Sequence, residues 1–482
     1  MKISRLLIAW GIIALFMSSC KQSMQEIDLS GEWEVTLDSL DKGISERWYI
    51  ESFSDRILLP GTLCDAGYGT PCTLEPVMEK EIFLNLKRKF DYLGPAWYRK
   101  EISVPKEWKD KDVILTLERV IWNSQVWING TQVEGFNESL TTPHYFNLGK
   151  YLVPGKNNVI AIRIDNRRQH DISIRSLAHA YTNDTQTMWN GILGKIALTA
   201  KDKVRIEELR LTPNIDNQTV NVTVEIGSNG TALTSGKLRL SVKDPKGNKL
   251  PEKEVEINSM ETTFEYPVEN AMLWDEFTPN IYEATATLEV GNMIDSRSET
   301  FGMRKLTNKE ALLQINDRRL FLRGTLECCI FPLKGYPPMD NAGWEKVFNA
   351  ARNYGLNHIR FHSWCPPEAA FDVADKMGFY LQIELPLWAL NVGEDQKTVD
   401  FLYDEADRIM KEYGNHPSFC FWSLGNELQG DFSVMDKLLT TIKQEDKRHL
   451  YMTTTFTFEP GHGSWPESND DFWVSQWTKN GW

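Results

Sequence analysis

From about Ile27 to Ala200, apolar and polar positions alternate with the period of a strand, in segments such as LSGEWEVTL, AWYRKEISVP, KDVILTLERV, NNVIAIRIDN and ILGKIALTA. Asn129-Gly130 and Pro154-Gly155 punctuate the alternation as hairpin turns do, so residues 28–200 are expected to form an all-β sandwich. The same period runs from Lys203 to about Arg304 in VRIEELRLTP, QTVNVTVEIGS, GKLRLSVKDPKG and NIYEATATLEV. Several short strands at that spacing predict an immunoglobulin-like β-sandwich over residues 201–303, without the cysteine pair of true immunoglobulin domains.

After Arg304 the period changes. RRLFLRGTLE reads as a strand, and GWEKVFNAARNYG places Trp344, Val347, Phe348, Ala351 and Tyr354 on one helical face that stops at Gly355. NHIRFH, FYLQIELP, SFCFWSLGNE and LYMTTTFT follow as strands, separated by the helices PEAAFDVADKMG, TVDFLYDEADRIMKEYG and SVMDKLLTTIKQE. This alternation predicts parallel β/α architecture. A closed eight-stranded barrel takes about 250 residues, whereas residues 304–482 offer five strands and a sixth candidate at DFWVSQ. The expectation is a (β/α)8 TIM barrel that is incomplete at Trp482, with unpaired edge strands.

Composition narrows the partners. A net charge of -14 argues against nucleic acid or anionic lipid as an electrostatic partner, since both require a basic face. Residues 1–20, MKISRLLIAWGIIALFMSSC, combine two cations, a short apolar run and small residues before a cysteine; this is a secretory signal, too short to span a bilayer. Met17-Ser18-Ser19-Cys20 resembles a bacterial lipobox, which implies lipidation of Cys20, a bacterial cell-envelope location at the periplasm or outer membrane, and membrane contact only through that anchor. Of the other cysteines, Cys64 and Cys72 share a Gly-rich loop and are placed to pair in an oxidising envelope, while Cys328, Cys329, Cys365 and Cys420 read as small buried hydrophobes. No CxxC and no histidine spacing typical of a metal site occurs, so neither metal nor other cofactor is expected.

The three-part order and its local phrases resemble glycoside hydrolase family 2, the family of β-galactosidases, β-glucuronidases and β-mannosidases. The phrases are AWYRKEISVP, VWINGTQVEG and GILGKIAL in the first region, LWDEFTPNIYEATATL and FGMRK in the second, and RRLFLRG and SLGNE in the third. The resemblance spans about residues 28 to 480 and implies a sugar-binding jelly roll, an immunoglobulin-like domain and a catalytic TIM barrel. It also implies an exo-acting retaining β-glycosidase acting on O-glycosidic bonds of a carbohydrate substrate, with oligomeric state left open. The rival from another class is a noncatalytic glycan-binding lipoprotein that uses the β-sandwich domains.

In a parallel barrel the site lies at the carboxyl ends of the strands, where FCFWSLGNE places Asn426 and Glu427. Glycoside cleavage needs a proton delivered to the departing oxygen by a partly desolvated carboxyl group; Glu427 is the candidate acid/base. By the resemblance, Asn426 holds the sugar 2-hydroxyl and Arg360, in NHIRFH, holds the nucleophile's carboxylate. His362 and the strand-end carboxylates Glu384 and Glu327 are candidates either for contacting substrate or for structural bonding at the barrel top. Trp364, Trp388 and Trp422 are candidates for stacking on a pyranose face. The family nucleophile, a glutamate ending the seventh strand, has no counterpart in the residues read here. Two departures limit the sugar assignment: Cys328 stands where the galactosidase and glucuronidase branches carry histidine, and LPLWALNVG lacks the ligands of the magnesium-using enzymes.

Overall fold

The computed structural model describes residues 25–72, 89–175, 177–183, 185–230, 233, 235–310, 312–463 and 466–474. The lipidation position Cys20 lies outside them. The first domain is a sandwich of two antiparallel sheets. One carries strands Glu26–Asp28, Gly191–Lys201, Asp112–Arg119 and His144–Asn147; the other carries Asn123–Ile128, Asn157–Asp165, Pro95–Ser103, Gly31–Leu37 and Asp55–Leu59 with short flanking strands. The period-two pattern explains both faces of the second sheet. Ile160, Ile162 and Ile164 point into the inter-sheet core with Trp33, Tyr98 and Leu115, while Ala161, Trp97 and Trp127 face outward under Trp48, Tyr49 and Phe53. Cys64 and Cys72 are free thiols here, so the expected pairing is not present.

The second domain packs a three-stranded sheet (Val204–Asn214, Thr219–Ser228, Glu261–Pro267) on a four-stranded one (Lys253–Ile257, Gly236–Lys243, Tyr282–Val290, Met293–Phe301). Alternate residues such as Val220, Val222, Val224, Leu238, Leu240, Ala284 and Ala286 fill its core. Arg304, in the FGMRK phrase, then anchors this domain to the next: its guanidinium donates to the carbonyls of Pro417 (2.7 Å), Phe419 (2.8 Å) and Arg448 (3.0 Å). Those are carbonyls near the amino ends of two barrel strands, and a planar five-donor group is suited to collecting them.

RRLFLRGTLE is not one strand. Arg318–Arg319 closes a small antiparallel sheet with Leu306–Lys309 and Leu312–Ile315, and the first parallel strand is Gly324–Glu327. His358–Phe361, Tyr380–Glu384, Phe419–Ser423 and Leu450–Met452 follow in chain order as the second to fifth parallel strands of one sheet. Asp471–Val474, the described part of the sixth candidate, is not a strand. Helices Asn341–Asn353, Glu368–Met377, Gln396–Tyr413 and Phe432–Glu445 connect the strands. Asp340, Asp395 and Asp431 cap three of them by accepting from first-turn amides, and Gly378 ends the second in the left-handed conformation. Tyr354, expected on the buried face of the first helix, is 86% exposed: it is the C-cap residue, turned away as the chain leaves the helix.

The sandwich reaches over the barrel. Between two strands of the first domain, residues 166–175, 177–183 and 185–190 run along the carboxyl ends of the parallel strands and bond to the loops there through backbone groups of Ile172, Ile174, Ala180 and Thr187, which meet Trp388, Ser363 and Gly335. Ala178, Tyr181 and Trp189 from this loop share one hydrophobic cluster with Trp344, Phe361 and Trp364 of the barrel. Below, the buried Glu405 carboxylate accepts from Leu140 N (2.9 Å) and Thr141 Oγ1 (2.7 Å). The first domain is thus built into one wall of the barrel mouth.

Candidate active site

All five residues of the fourth strand are buried, which explains the apolar run before Asn426. At Gly425 the chain crosses the loop after the third strand: a Cβ there would lie 2.3 Å from the Leu387 carbonyl oxygen, so only glycine fits. The Asn426 amide donates to that same carbonyl at 3.1 Å, and Glu427 follows with φ 47°, in the left-handed region. Cys329 (φ 55°) after the first strand and Ser363 (φ 53°) after the second share that conformation. Non-glycine residues held there store backbone strain, a recurrent property of functional sites.

Asn426 is fixed by its oxygen. Oδ1 accepts from Arg360 Nη2 (2.7 Å) and Thr455 Oγ1 (3.0 Å), so what the side chain can offer a ligand is its Nδ2 hydrogens. The Thr455 hydroxyl in turn accepts from the Glu427 amide at 3.0 Å. One threonine of the fifth-strand loop therefore positions both residues. The Glu427 side chain is half-buried at the strand end.

Arg360 is oriented by Glu384, whose Oε1 accepts from Arg360 Nε (2.6 Å) and Gln382 Nε2 (3.0 Å), and whose Oε2 accepts from Ser363 N (2.7 Å). Glu384 is 0% exposed, so of the two readings left open for it the structure shows the structural bonding. Burial raises its carboxyl, but the Arg360 guanidinium, His362 and the hydrogen bonds outweigh that and leave it below the ordinary carboxylate range. At the end of the first strand, Glu327 accepts from the Cys329 and Ile330 amides; desolvation nevertheless pushes its carboxyl up to about 7.

The tryptophans separate. Trp364 is buried against Trp344 and Phe361 and donates from Nε1 to Glu327 O, and Trp422 is fully buried; neither presents a face for stacking. Trp388 is half-buried and packs edge-on to the His362 ring with centroids 4.8 Å apart. His362 meets His179 of the sandwich loop, Nδ1 to Nδ1 at 2.9 Å. Burial pushes the His362 imidazole down to about 4 and lowers His179 as well, so both rings are neutral near pH 7. His179 and Thr455 drew no attention in the sequence: one lies in an irregular loop of another domain, the other in a threonine run with nothing to mark which hydroxyl faces the site.

Fold and site together define a three-domain protein in which a β/α barrel presents an Asn-Glu pair beside a loop of an antiparallel β-sandwich. Models of the glycosyl hydrolases family 2 match in succession: its sugar-binding domain over residues 27–199, its central domain over 204–304 and its TIM barrel domain over 306–455. The chain belongs to glycosyl hydrolases family 2. It is 23% identical over 83% of its length to a beta-galactosidase of Lactobacillus delbrueckii subsp. bulgaricus, covering 41% of that protein. The fold is similar to beta-glucuronidase structures from Ruminococcus gnavus (TM-score 0.71, 18% identity, 89% of this chain and 72% of that one) and Bacteroides uniformis (TM-score 0.71, 20% identity, 90% and 52%). At these identities the likeness is one of fold. The chain spans about two fifths of the length of curated relatives it matches.

Proposed function

We propose that this chain carries the acid/base half of a retaining exo-β-glycosidase that hydrolyses O-glycosidic bonds in carbohydrates. The observation that supports it best is the construction around Glu427: a carboxyl at the carboxyl end of a buried barrel strand, its backbone set by Thr455. Beside it, the Asn426 oxygen is doubly held so that its amide hydrogens are free to meet a hydroxyl. In this reading Glu427 protonates the departing oxygen and later deprotonates water, and Asn426 bonds the sugar 2-hydroxyl as oxocarbenium character develops. Arg360 receives the second carboxylate, which retention requires about 5 to 5.5 Å from the first. Glu384 and Glu327 already serve Arg360 and backbone amides, and neither is given that role; by resemblance to the family the second carboxylate is a glutamate ending a seventh parallel strand. Trp388 and His362 line the sugar site.

The test uses protein from the complete reading frame and a panel of aryl β-galactoside, glucuronide, galacturonide, mannoside and α-L-arabinopyranoside. Glu427→Gln should lower kcat/KM by about 10²–10⁴, the usual range for one acid/base group, with the smallest loss on substrates whose leaving group needs no proton. Equal activity in the variant removes Glu427 from the role. The same proposal places the protein on the cell envelope through lipid at Cys20; Cys20→Ser should release it from the membrane fraction, and retention would refute the anchor.

A further inference from the structure

The barrel mouth holds a group of side chains that the glycosidase reading leaves without a joint role. His179 comes from the sandwich loop, Cys328 follows the first parallel strand and His362 follows the second; one donor atom from each lies within 4.8 Å of the other two. The geometry points to a divalent-cation site for a borderline-soft ion, zinc above all, held by the imidazoles of His179 and His362 and the thiolate of Cys328, with a fourth position for water or a sugar oxygen. The three donors lie in three separate segments and make no linear spacing, so the sequence alone carries no sign of a metal site.

The donor set selects the ion. Imidazole and thiolate suit zinc, whereas magnesium and calcium require oxygen ligands. Three protein ligands and an open fourth position are the pattern of zinc sites that engage a further molecule. Two of the three ligands are also held by their backbones: the His362 amide donates to Glu327 O at 3.0 Å, and the His179 amide donates to Ser363 Oγ at 2.9 Å. The Ser363 hydroxyl lies 3.2 Å from both Nδ1 atoms. Zinc bonds of about 2.0–2.1 Å at tetrahedral angles would set two ligand nitrogens about 3.3 Å apart. The 2.9 Å between the Nδ1 atoms thus needs an opening of a few tenths of an ångström, and the Cys328 sulfur, within 4.8 Å of both rings, must settle at about 3.5 Å from each nitrogen. On binding, the Cys328 thiol releases its proton to solvent and the sulfur takes the metal bond. Metal-free, His179 Nδ1 lies 2.9 Å from both His362 Nδ1 and His362 O, so a proton held there must shift to Nε2 before Nδ1 binds a metal, and that bare pair is the arrangement the experiment must distinguish.

The test needs no glycosidase activity, so it stands or falls apart from the proposed function. The full chain, stripped with chelator, is titrated with zinc chloride by calorimetry and with cobalt(II) by absorbance. One equivalent per chain should bind at micromolar or tighter affinity, and cobalt should give the near-ultraviolet thiolate band. Cys328→Ser should abolish that band, and Cys328→Ser and His179→Gln should each weaken zinc at least about tenfold. Cys64→Ser, which removes a free thiol far along the chain, should change neither. In the unmutated protein, zinc should slow alkylation of Cys328, mapped by mass spectrometry, at least about tenfold; this arm stands even if a variant misfolds. No binding at micromolar zinc, binding indifferent to both variants, or unprotected Cys328 would overturn the proposal.

Discussion

Replacing Glu384 by glutamine isolates what the buried ion pair does for the barrel mouth. The carboxylate accepts three hydrogen bonds through two oxygens: Arg360 Nε and Gln382 Nε2 at Oε1, Ser363 N at Oε2. A glutamine has one oxygen. With that oxygen in the Oε1 place, its NH2 faces the Ser363 amide; flipped, it faces two donors, one of them charged. Either way a donor meets a donor, and the Arg360 guanidinium, itself 9% exposed, loses its counter-charge. Removing one partner of a buried pair costs about 3–5 kcal/mol, and the loss of one buried hydrogen bond accounts for about 1–3 kcal/mol of it. For a barrel-sized cooperative unit this corresponds to about 6–20 °C in the calorimetric transition. The assay is differential scanning calorimetry of wild type, Glu384→Gln, Arg360→Met and the double variant. The cycle should return a coupling of at least about 2 kcal/mol, because Arg360→Met removes the group that Glu384 neutralises. A single-variant loss below about 1 kcal/mol, or additive singles, would refute the claim that Glu384 acts by holding Arg360.

Three further outcomes follow from particular contacts. Gly425→Ala puts a methyl 2.3 Å from Leu387 O; the loop must move, at about 1–3 kcal/mol, and hydrolysis measured on the best aryl glycoside should fall at least about tenfold with the barrel still folded by circular dichroism. Thr455→Val removes the hydroxyl shared by the Glu427 amide and Asn426 Oδ1; kcat/KM should drop about tenfold, or about 1.4 kcal/mol in transition-state terms, with melting little changed. His416 is buried, and although burial lowers it, Asp375 (2.7 Å) and Glu368 (3.2 Å) raise its imidazole well above the ordinary 6.5. Its stabilising contribution is therefore complete below about pH 6.5 and is lost as pH rises through the folded value; the melting-temperature gap between wild type and His416→Gln should be widest in mild acid and shrink in alkali, and a gap constant with pH would refute the charged pairing.

What was legible in the chain follows the range of the forces involved. Period-two alternation reports a local geometry, so both sandwiches could be read from it, and Gly378 and the fourth strand's apolar run marked their elements for the same reason. RRLFLRGTLE misled because apolar composition does not say where a hairpin ends and a barrel strand begins; that depends on pairing with Leu312–Ile315 and His358–Phe361. The site divides in the same way. Asn426, Glu427, Arg360 and His362 each sit at the end of a strand that can be located from its own residues, and the structure brings Arg360 and Asn426 into direct contact. Glu384 and Trp364 stayed open in the sequence because burial is a property of the assembled mouth: the same strand-end placement that suggested contact with a sugar leaves one saturated by Arg360, Gln382 and Ser363, and the other packed against Trp344 and Phe361. His179 lay beyond sequence reasoning altogether, since its chemistry depends on a loop from one domain lying across the strands of another. A site made at such a junction can change by alteration of either domain, with Arg360 and Asn426 left in place.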